Sequence, residues 1–135
     1  MEQFENIRSV LVAGNDLRSL LDKRLEPLGL SLIKVWALQN IVDRDDVTIS
    51  DLAHLLDCGR SNASQLVERM ERDGLVTRKA HLTDRRVSLI VVPDNARELL
   101  ASSLKVLRDV DRHIGAEFDV GSLVGAVDTV SKKRS

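Results

Sequence analysis

Short polar side chains with hydrogen-bonding capacity are concentrated in residues 59–74 (GRSNASQLVERMERDG). At about 100° per residue, the apolar residues of this segment fall on one narrow stripe with the i, i+3, i+4, i+7 spacing of a helix that lies on a core: Ala63, Leu66, Val67 and Met70. The opposite face opens with hydroxyl and amide groups, which can pair with base edges in the major groove of DNA. The segment therefore predicts a helix whose polar face can approach a nucleic acid closely.

The first half of this helix is predicted to contact bases, and the second half phosphates. Helices that dock in the major groove reach base edges with their N-terminal residues, and Asn62 and Gln65 carry the amide group that pairs with adenine. Arg69 and Arg72 lie further along, and Arg60 lies near the positive end of the helix dipole, so all three are expected at phosphates. For each residue an ordinary exposed side chain is the alternative. The predicted contacts of the helix are Arg60, Ser61, Asn62, Ser64, Gln65, Arg69 and Arg72.

Positive charge is concentrated in the same part of the chain, although the formal net charge is only −1. Residues 1–58 hold six Lys or Arg against ten Asp or Glu, a balance of −4. Residues 59–86 hold seven against four, a balance of +3, and the remainder holds seven of each. A local positive surface of this kind is what phosphate contacts require. The alternative is a solvated surface of mixed charge.

Composition restricts the class of protein. With 135 residues, 43% of them hydrophobic and 30% charged, the chain is expected to form one domain with a real core. No apolar run approaches the roughly 18 to 20 residues needed to cross a bilayer, so no membrane partner is expected. The single Cys suits a reducing compartment, and a cytoplasmic location is expected. Aromatic residues make up only 2%, which disfavours stacking on single-stranded bases.

Nothing in the sequence indicates an enzyme. His54, His81 and His113 are scattered, without the spacing of metal ligands, and no glycine-rich phosphate loop or nucleophile motif is present. Neither a metal nor a cofactor is therefore expected. Cys58 occupies an apolar position in a turn, which favours a buried structural thiol over a redox-active one.

A short helix is predicted directly before residues 59–74. Thr48-Ile49-Ser50-Asp51 has the pattern of a capping box with Asp in place of Glu, and Leu52, Ala53 and Leu56 would face inward. Asp57 ends the helix, because Asp tolerates the left-handed backbone that a tight turn needs. Two short helices joined by a turn of about three residues form a helix-turn-helix unit.

Two strands around a polar tip follow the helix-turn-helix unit. Residues 75–78 (LVTR) are strand-like, residues 79–86 are polar, and residues 87–92 (VSLIVV) form a clear β-run, so a winged helix-turn-helix is predicted. At the tip, one of Arg85 and Arg86 can pair with Asp84 while the other points outward, where a narrow minor groove attracts an arginine. Pairing at the D-x-R spacing would make Arg86 the brace and Arg85 the probe, but both remain candidates. Arg78 is a further predicted DNA contact.

Helices are also predicted on both sides of this unit. They span residues 2–24, 31–42, 93–115 and 119–130, with Ser31 as the cap of the second, and a basic tail (residues 132–135) is expected to be disordered. The apolar stripe of the first helix is wide enough either to be core or to contact a second subunit. Trp36 lies off the centre of its helix stripe, which favours partial exposure at a core edge, with the wall of a ligand pocket as the alternative.

The combination of residues 70–78 (MERDGLVTR) with Asp84-Arg85-Arg86 resembles the MarR family of bacterial transcriptional regulators, in which a GLV-x-R segment leads into a wing that ends in D-x-R. The resemblance implies a mainly α fold, an α+β winged helix-turn-helix with flanking N- and C-terminal dimerisation helices. Residues 1–28 and 93–135 would dimerise, and residues 31–92 would bind DNA. It also implies a homodimer that represses from a palindromic operator and is released by a small-molecule effector, with Trp36 as a candidate pocket wall. One departure is Val92-Pro93-Asp94-Asn95-Ala96, where the family often has Leu-Thr-x-x-Gly.

A winged-helix module that binds another regulator instead of DNA is the second hypothesis. The near-neutral net charge and two acidic residues of the second helix, Glu68 and Glu71, favour it. The local balance of +3 and the short polar side chains oppose it. Selection of sites from random duplex DNA discriminates between the two.

Overall fold

The computed structural model describes residues 1–132 and consists mainly of helices with one small antiparallel sheet. The predicted fold class is confirmed. Residues 133–135, most of the predicted basic tail, lie outside the described residues. In chain order the elements are α1 (Glu5–Leu25), a 3-10 turn (Glu26–Leu28), α2 (Leu32–Val42), α3 (Ile49–Leu55), α4 (Arg60–Arg72), β1 (Thr77–Ala80), β2 (Ser88–Val91), α5 (Asp94–Glu117) and α6 (Val120–Lys132).

The chain forms two compact units that divide within α5, residues 1–103 and residues 104 onward. The core of the first unit is aliphatic, and its largest fully buried side chains include Leu25, Leu38, Leu52 and Met70. These residues come from α1, α2, α3 and α4, so burial of apolar area from all four helices holds the helix-turn-helix unit against α1 and α2. The functional division into residues 1–28, 31–92 and 93–135 stays a prediction.

The start of α3 is the predicted capping box. The Asp51 amide donates to Thr48 Oγ1 (3.1 Å), and the Thr48 amide donates to Asp51 Oδ2 (3.0 Å). By contrast, Ser31 occupies the cap position of α2 without a side-chain hydrogen bond to that helix. Asp22 of α1 takes its place, because Asp22 Oδ1 accepts from the Leu32 amide at 2.8 Å. Ser31 is therefore the N-cap residue, as predicted, but the oxygen that accepts the hydrogen bond belongs to Asp22 and not to Ser31.

The turn between α3 and α4 adopts the predicted left-handed backbone. Asp57 has φ +52°, its amide donates to the His54 carbonyl (3.2 Å), and the Cys58 amide donates to the Ala53 carbonyl (2.9 Å). These two bonds satisfy the last carbonyls of α3 in the arrangement known as the Schellman motif. Cys58 is half-buried, so the expectation of a buried thiol is wrong. It follows the left-handed Asp57 in the turn. Leu56, which is predicted to face inward, is also only half-buried.

α4 ends in a second motif of the same kind, with Gly74 (φ +74°) at the left-handed position. The Gly74 amide donates to the Glu71 carbonyl (3.1 Å), and the Leu75 amide donates to the Met70 carbonyl (2.8 Å). Because these residues still complete the helix, β1 begins at Thr77 and not at Leu75 as predicted.

The wing is an antiparallel pair in which Thr77 faces Val91 and Ala80 faces Ser88. Its register is tied to the helix-turn-helix unit, because the Ile90 amide donates to the Val47 carbonyl (2.8 Å), directly before the capping box of α3. β2 is two residues shorter than the predicted run at residues 87–92. The sheet therefore fixes where the wing leaves the body of the first unit.

The two last helices differ from the prediction only at their ends. α5 continues to Glu117, two residues beyond the expected end. Asp119 precedes α6, where its carboxylate accepts from Ser122 Oγ at 2.7 Å, and these hydrogen bonds from Ser122 hold the pKa of Asp119 below its usual value. Over residues 1–132 we find no helix with the length and apolar character needed to span a bilayer.

Candidate nucleic-acid interface

The apolar stripe predicted for α4 is buried. Ala63, Leu66, Val67 and Met70 are each at most 4% exposed. Burial of these four side chains determines which face of the helix points outward, because a rotation of α4 would expose them. The core contacts of α4 therefore present its opposite face to solvent.

The outward face of α4 carries the residues predicted to contact a nucleic acid. Within residues 1–132, Asn62 and Gln65 form no side-chain hydrogen bond or ion pair, so their amides are free to recognise a ligand. Ser64 is half-buried and lies at the edge of the face. The exposed members are Arg60, Ser61, Asn62, Gln65, Arg69 and Arg72.

The first turn of α4 has no side-chain cap, since its cap position is Gly59. The amides at a helix start carry partial positive charge, and without an internal acceptor they are available to an anion such as a phosphate. Arg60 lies at the same end and adds a full positive charge. The sequence indicated the arginine but not the uncapped amides.

Two ion pairs hold the other end of α4. Lys34 Nζ of α2 lies 3.1 Å from Asp73 Oδ2, and Arg78 Nε of β1 lies 3.3 Å from Glu71 Oε1. The pairs are partly exposed, so each contributes little to stability but restrains direction. Arg78, a predicted DNA contact, is therefore already engaged with Glu71. Glu71 in turn is largely neutralised, which weakens one of the two features that favoured a protein-binding module.

The tip of the wing is closed by backbone bonds and braced by Asp84. The His81 amide donates to the Val87 carbonyl (3.0 Å), and the Val87 amide donates to the Asp84 carbonyl (3.1 Å). Asp84 Oδ1 accepts from both the amide (3.0 Å) and Nε (3.3 Å) of Arg86. The pairing predicted at the D-x-R spacing is therefore present. Arg85 is exposed and has no partner among the described residues.

His81 is a wing residue that sequence reasoning did not assign to the interface. Its Nδ1 accepts from the Thr83 amide (3.1 Å) and lies 3.3 Å from the Asp84 amide, which also points to it. The signal in the sequence was an acceptor side chain two residues before Thr83, the spacing of a side-chain-to-backbone turn.

Trp36 is 44% exposed, in agreement with the expectation of partial exposure. A cavity of about 220 Å3 lies elsewhere in the first unit, and its lining does not include Trp36. That lining consists of Arg44, Asp45, Val47, Asp51, His54 and Leu55. A pocket role for Trp36 stays a prediction. Among residues 1–132 no cluster of His, Cys, Asp or Glu could hold a metal ion.

Comparison with known proteins identifies relatives of the same architecture. The MarR family model matches residues 28–87. The MarR family regulator AbsC from Streptomyces coelicolor superposes with a TM-score of 0.81 at 25% identity, over 95% of this chain and 90% of that one. The M. tuberculosis regulator MosR, in a complex with DNA, gives 0.76 at 24% identity over 94% and 96% of the two chains. The S. aureus MepR–DNA complex gives 0.79 at 15% identity over 98% and 96%. No curated protein sequence matches the chain.

The family model covers the part of the chain that contains the helix-turn-helix unit and the wing tip. It begins at Leu28, before α2, and ends at Val87, after the wing tip, so it contains the helix-turn-helix unit, the ion pairs of α4 and the Asp84 brace. The likeness to AbsC extends the agreement to the flanking helices. The chain therefore has the winged helix-turn-helix fold, and its residues 28–87 match the MarR family.

Proposed function

We propose that this protein is a cytoplasmic transcriptional regulator that binds double-stranded DNA as a homodimer. The observation that carries the proposal is the state of α4. Its apolar stripe is buried, whereas its opposite face is exposed, polar and without internal partners at Asn62 and Gln65. A B-DNA major groove admits a helix with such a face. The structures of MosR and MepR in complex with DNA, which share the fold, support the same partner.

The polar residues of α4 divide by role. Asn62 and Gln65 read base edges, and Ser61 and Ser64 contribute hydroxyls beside them. Arg60 and the uncapped amides of the first turn bind one phosphate region. Arg69 and Arg72 bind another, about two and a half to three turns further along the helix.

The wing supplies a second contact in the minor groove. Asp84 holds Arg86 through the Arg86 amide and Nε, and Arg85 has no such restraint. Arg85 is therefore the residue that enters the groove, where a narrow A·T-rich segment concentrates negative potential. Arg86 remains 92% exposed in its ion pair and contacts the adjacent backbone. Arg78 contacts a phosphate only if it leaves Glu71, so its main role is to support the wing.

The homodimer is supported by apolar side chains that each unit leaves uncovered. In α1 the first two-thirds of the helix is exposed, including Ile7 at 63% and Leu11 at 68%. In α6, Val127 and Val130 are exposed as well. Several exposed apolar side chains along one helix favour an interaction site on that helix. We assign residues 1–28 and 93–135 to dimerisation, and a two-fold dimer reads a palindromic operator.

Matched substitutions test the dimer. Leu11→Asp puts a charge into the proposed α1 interface, whereas Leu82→Asp puts the same charge on another exposed leucine, at the wing tip. In sedimentation equilibrium, Leu11→Asp should shift the protein towards monomer and Leu82→Asp should leave the parent mass. A monomeric parent, or equal behaviour of the two variants, would remove the dimer from the proposal.

Repression and release by a small-molecule effector complete the proposal. Trp36, partly exposed on α2, is the candidate pocket wall for that effector. Support comes from the family alone, so this part needs a direct test. Operator-bound protein is challenged with a panel of phenolic compounds and of anionic compounds while Trp36 fluorescence and DNA release are followed together. If a compound releases the DNA without any change in tryptophan emission, the effector does not bind next to Trp36.

A module that binds a second regulator is the other candidate function. Glu68 favours it, because this carboxylate lies exposed on the same side of α4 as the arginines. Selection from random duplex DNA at low salt decides between the two. A DNA-binding dimer should enrich a palindrome, and failure to enrich any motif would support the protein-binding module.

A further inference from the structure

The wing tip contains two consecutive turns in which a side chain organises the backbone that follows it. In the first, His81 Nδ1 accepts from the Thr83 amide (3.1 Å) and faces the Asp84 amide (3.3 Å), and the Thr83 hydroxyl lies at 3.0 Å. In the second, Asp84 Oδ1 accepts from the Arg86 amide and Nε. The two turns share Asp84, whose amide meets the imidazole and whose carboxylate holds the arginine. These hydrogen bonds connect His81 to Arg86 through Asp84.

The geometry also specifies the state of the imidazole. A ring nitrogen that accepts from backbone amides carries no proton, so the proton of neutral His81 is on Nε2. His81 is half-buried, and the charged residues nearest to it in the wing sequence are Lys79, Asp84, Arg85 and Arg86. A neutral acceptor satisfies the amides without adding another positive charge to this cluster.

We propose that His81 is a positioning residue for DNA binding: its unprotonated Nδ1 orders residues 82–86 so that Arg85 and Arg86 are presented together. The inference rests on the proposed function, because it gives those arginines a ligand. His81 itself does not contact DNA. Because His81 orders the wing tip in the free protein, less conformational entropy is lost when the protein binds DNA.

Asparagine provides a conservative test of this role. The Oδ1 of Asn can take the place of His Nδ1, and Asn commonly accepts from the amide two residues on. His81→Asn therefore retains the acceptor, whereas His81→Ala removes it. Leu82→Ala is the matched control, because Leu82 is adjacent, 93% exposed and forms no side-chain hydrogen bond.

The experiment measures affinity for a selected duplex by fluorescence anisotropy over a range of salt concentrations. His81→Ala should weaken binding about tenfold, the equivalent of one or two hydrogen bonds, and reduce the salt slope by about one. His81→Asn should recover most of the affinity, and Leu82→Ala should match the parent. In a protein that already carries Arg85→Ala and Arg86→Ala, His81→Ala should change affinity less than about twofold, since its effect acts through those arginines.

Three results would overturn the proposal. His81→Asn could bind as weakly as His81→Ala, in which case the acceptor is irrelevant. The loss from His81→Ala could persist in the double-arginine background, which would make His81 a DNA contact itself. His81→Ala could also bind like the parent. Two measurements on the free protein give an independent readout. The imidazole nitrogen chemical shifts should show that Nδ1 of His81 is unprotonated. The Thr83 amide should exchange with solvent faster in His81→Ala than in the parent. If the parent protein binds no duplex, the proposed function fails, while these measurements still test the role of His81 in the wing.

Discussion

Replacement of Arg85 by alanine tests the wing contact with little disturbance of the fold. Arg85 is exposed at the wing tip and has no internal partner among the described residues, whereas Arg86 is bonded to Asp84. Arg85→Ala should therefore change the free energy of unfolding by no more than about 0.5 kcal/mol, the usual range for such surface substitutions. Any larger effect on DNA affinity then arises from the complex.

The magnitude follows from the release of counterions. One lost phosphate contact reduces the slope of log affinity against log salt by about 0.9. Between about 50 and 200 mM salt, a fourfold range, the ratio of parent to variant affinity should therefore fall by about 3.5-fold. The loss is largest at low salt and extends to non-specific duplexes, because the charge of Arg85 acts on the phosphates that flank any minor groove. It is greatest where an A·T-rich groove is narrow.

Fluorescence anisotropy at four or more salt concentrations measures the slope directly. Arg44→Ala is the control, since it removes the same charge from the exposed loop after α2, outside the predicted contacts. The expected result is a reduced slope for Arg85→Ala and the parent slope for Arg44→Ala. Equal salt slopes for Arg85→Ala and the parent would refute the wing contact. Equal reductions of the slope in Arg85→Ala and Arg44→Ala would show an effect of net charge and not of a specific contact.

Four other substitutions test separate parts of the structure. Gln65→Ala should cost about 1 to 3 kcal/mol of binding at one operator position and nothing elsewhere, as measured with a panel of single-base operator variants. Thr48→Ala removes the capping box of α3 and should lower the free energy of unfolding in urea by about 1 kcal/mol. Asp57→Gly should raise it by about 0.5 kcal/mol, because relief of the left-handed backbone outweighs the entropy of glycine in the unfolded chain. Since the pKa of Asp119 is lowered in the folded protein, its cap on α6 is fully present above the ordinary value of about 3.9 and is lost as the pH falls through the folded value. The Ser122 amide resonance should therefore shift as the pH falls through that range. Asp119→Asn should abolish this shift.

The elements that could be predicted are those whose signals lie within a few residues of one another. The buried stripe of α4 follows from a period of about 3.6 residues, and the capping box of α3 needs only Thr48 and Asp51. The left-handed turn at Asp57 is similarly local. In each case the interacting groups are less than two helical turns apart, so the sequence alone brings them together.

What could not be predicted depends on contacts between separate segments. The side chain that caps α2 is Asp22, which accepts a hydrogen bond from the amide of Leu32, ten residues further on. No local sequence pattern favours Asp22 over Ser31 for this role. The ion pair of Arg78 with Glu71 requires the chain to turn back at Gly74, which makes Arg78 a support as well as a candidate contact. The acceptor role of His81 is different, because its partner amide at Thr83 lies only two residues on and the signal is local. It is not predicted because Asn, Asp, Ser and Thr, and not His, are the residues typical of such turns.

The two halves of the proposed interface are held by forces of different strength, and this predicts how each responds to substitution. α4 is held by buried apolar area, so Met70→Ala should cost about 2 to 5 kcal/mol of folding stability. The wing tip is held by exposed hydrogen bonds around Asp84, each worth only about 0.5 to 1.5 kcal/mol net. Such segments open locally at low cost in free energy. Substitutions at His81 or Asp84 should therefore alter DNA affinity while leaving the unfolding midpoint nearly unchanged, whereas substitutions in the buried stripe should lower both. A wing variant that lowered the unfolding midpoint as much as Met70→Ala would contradict this division.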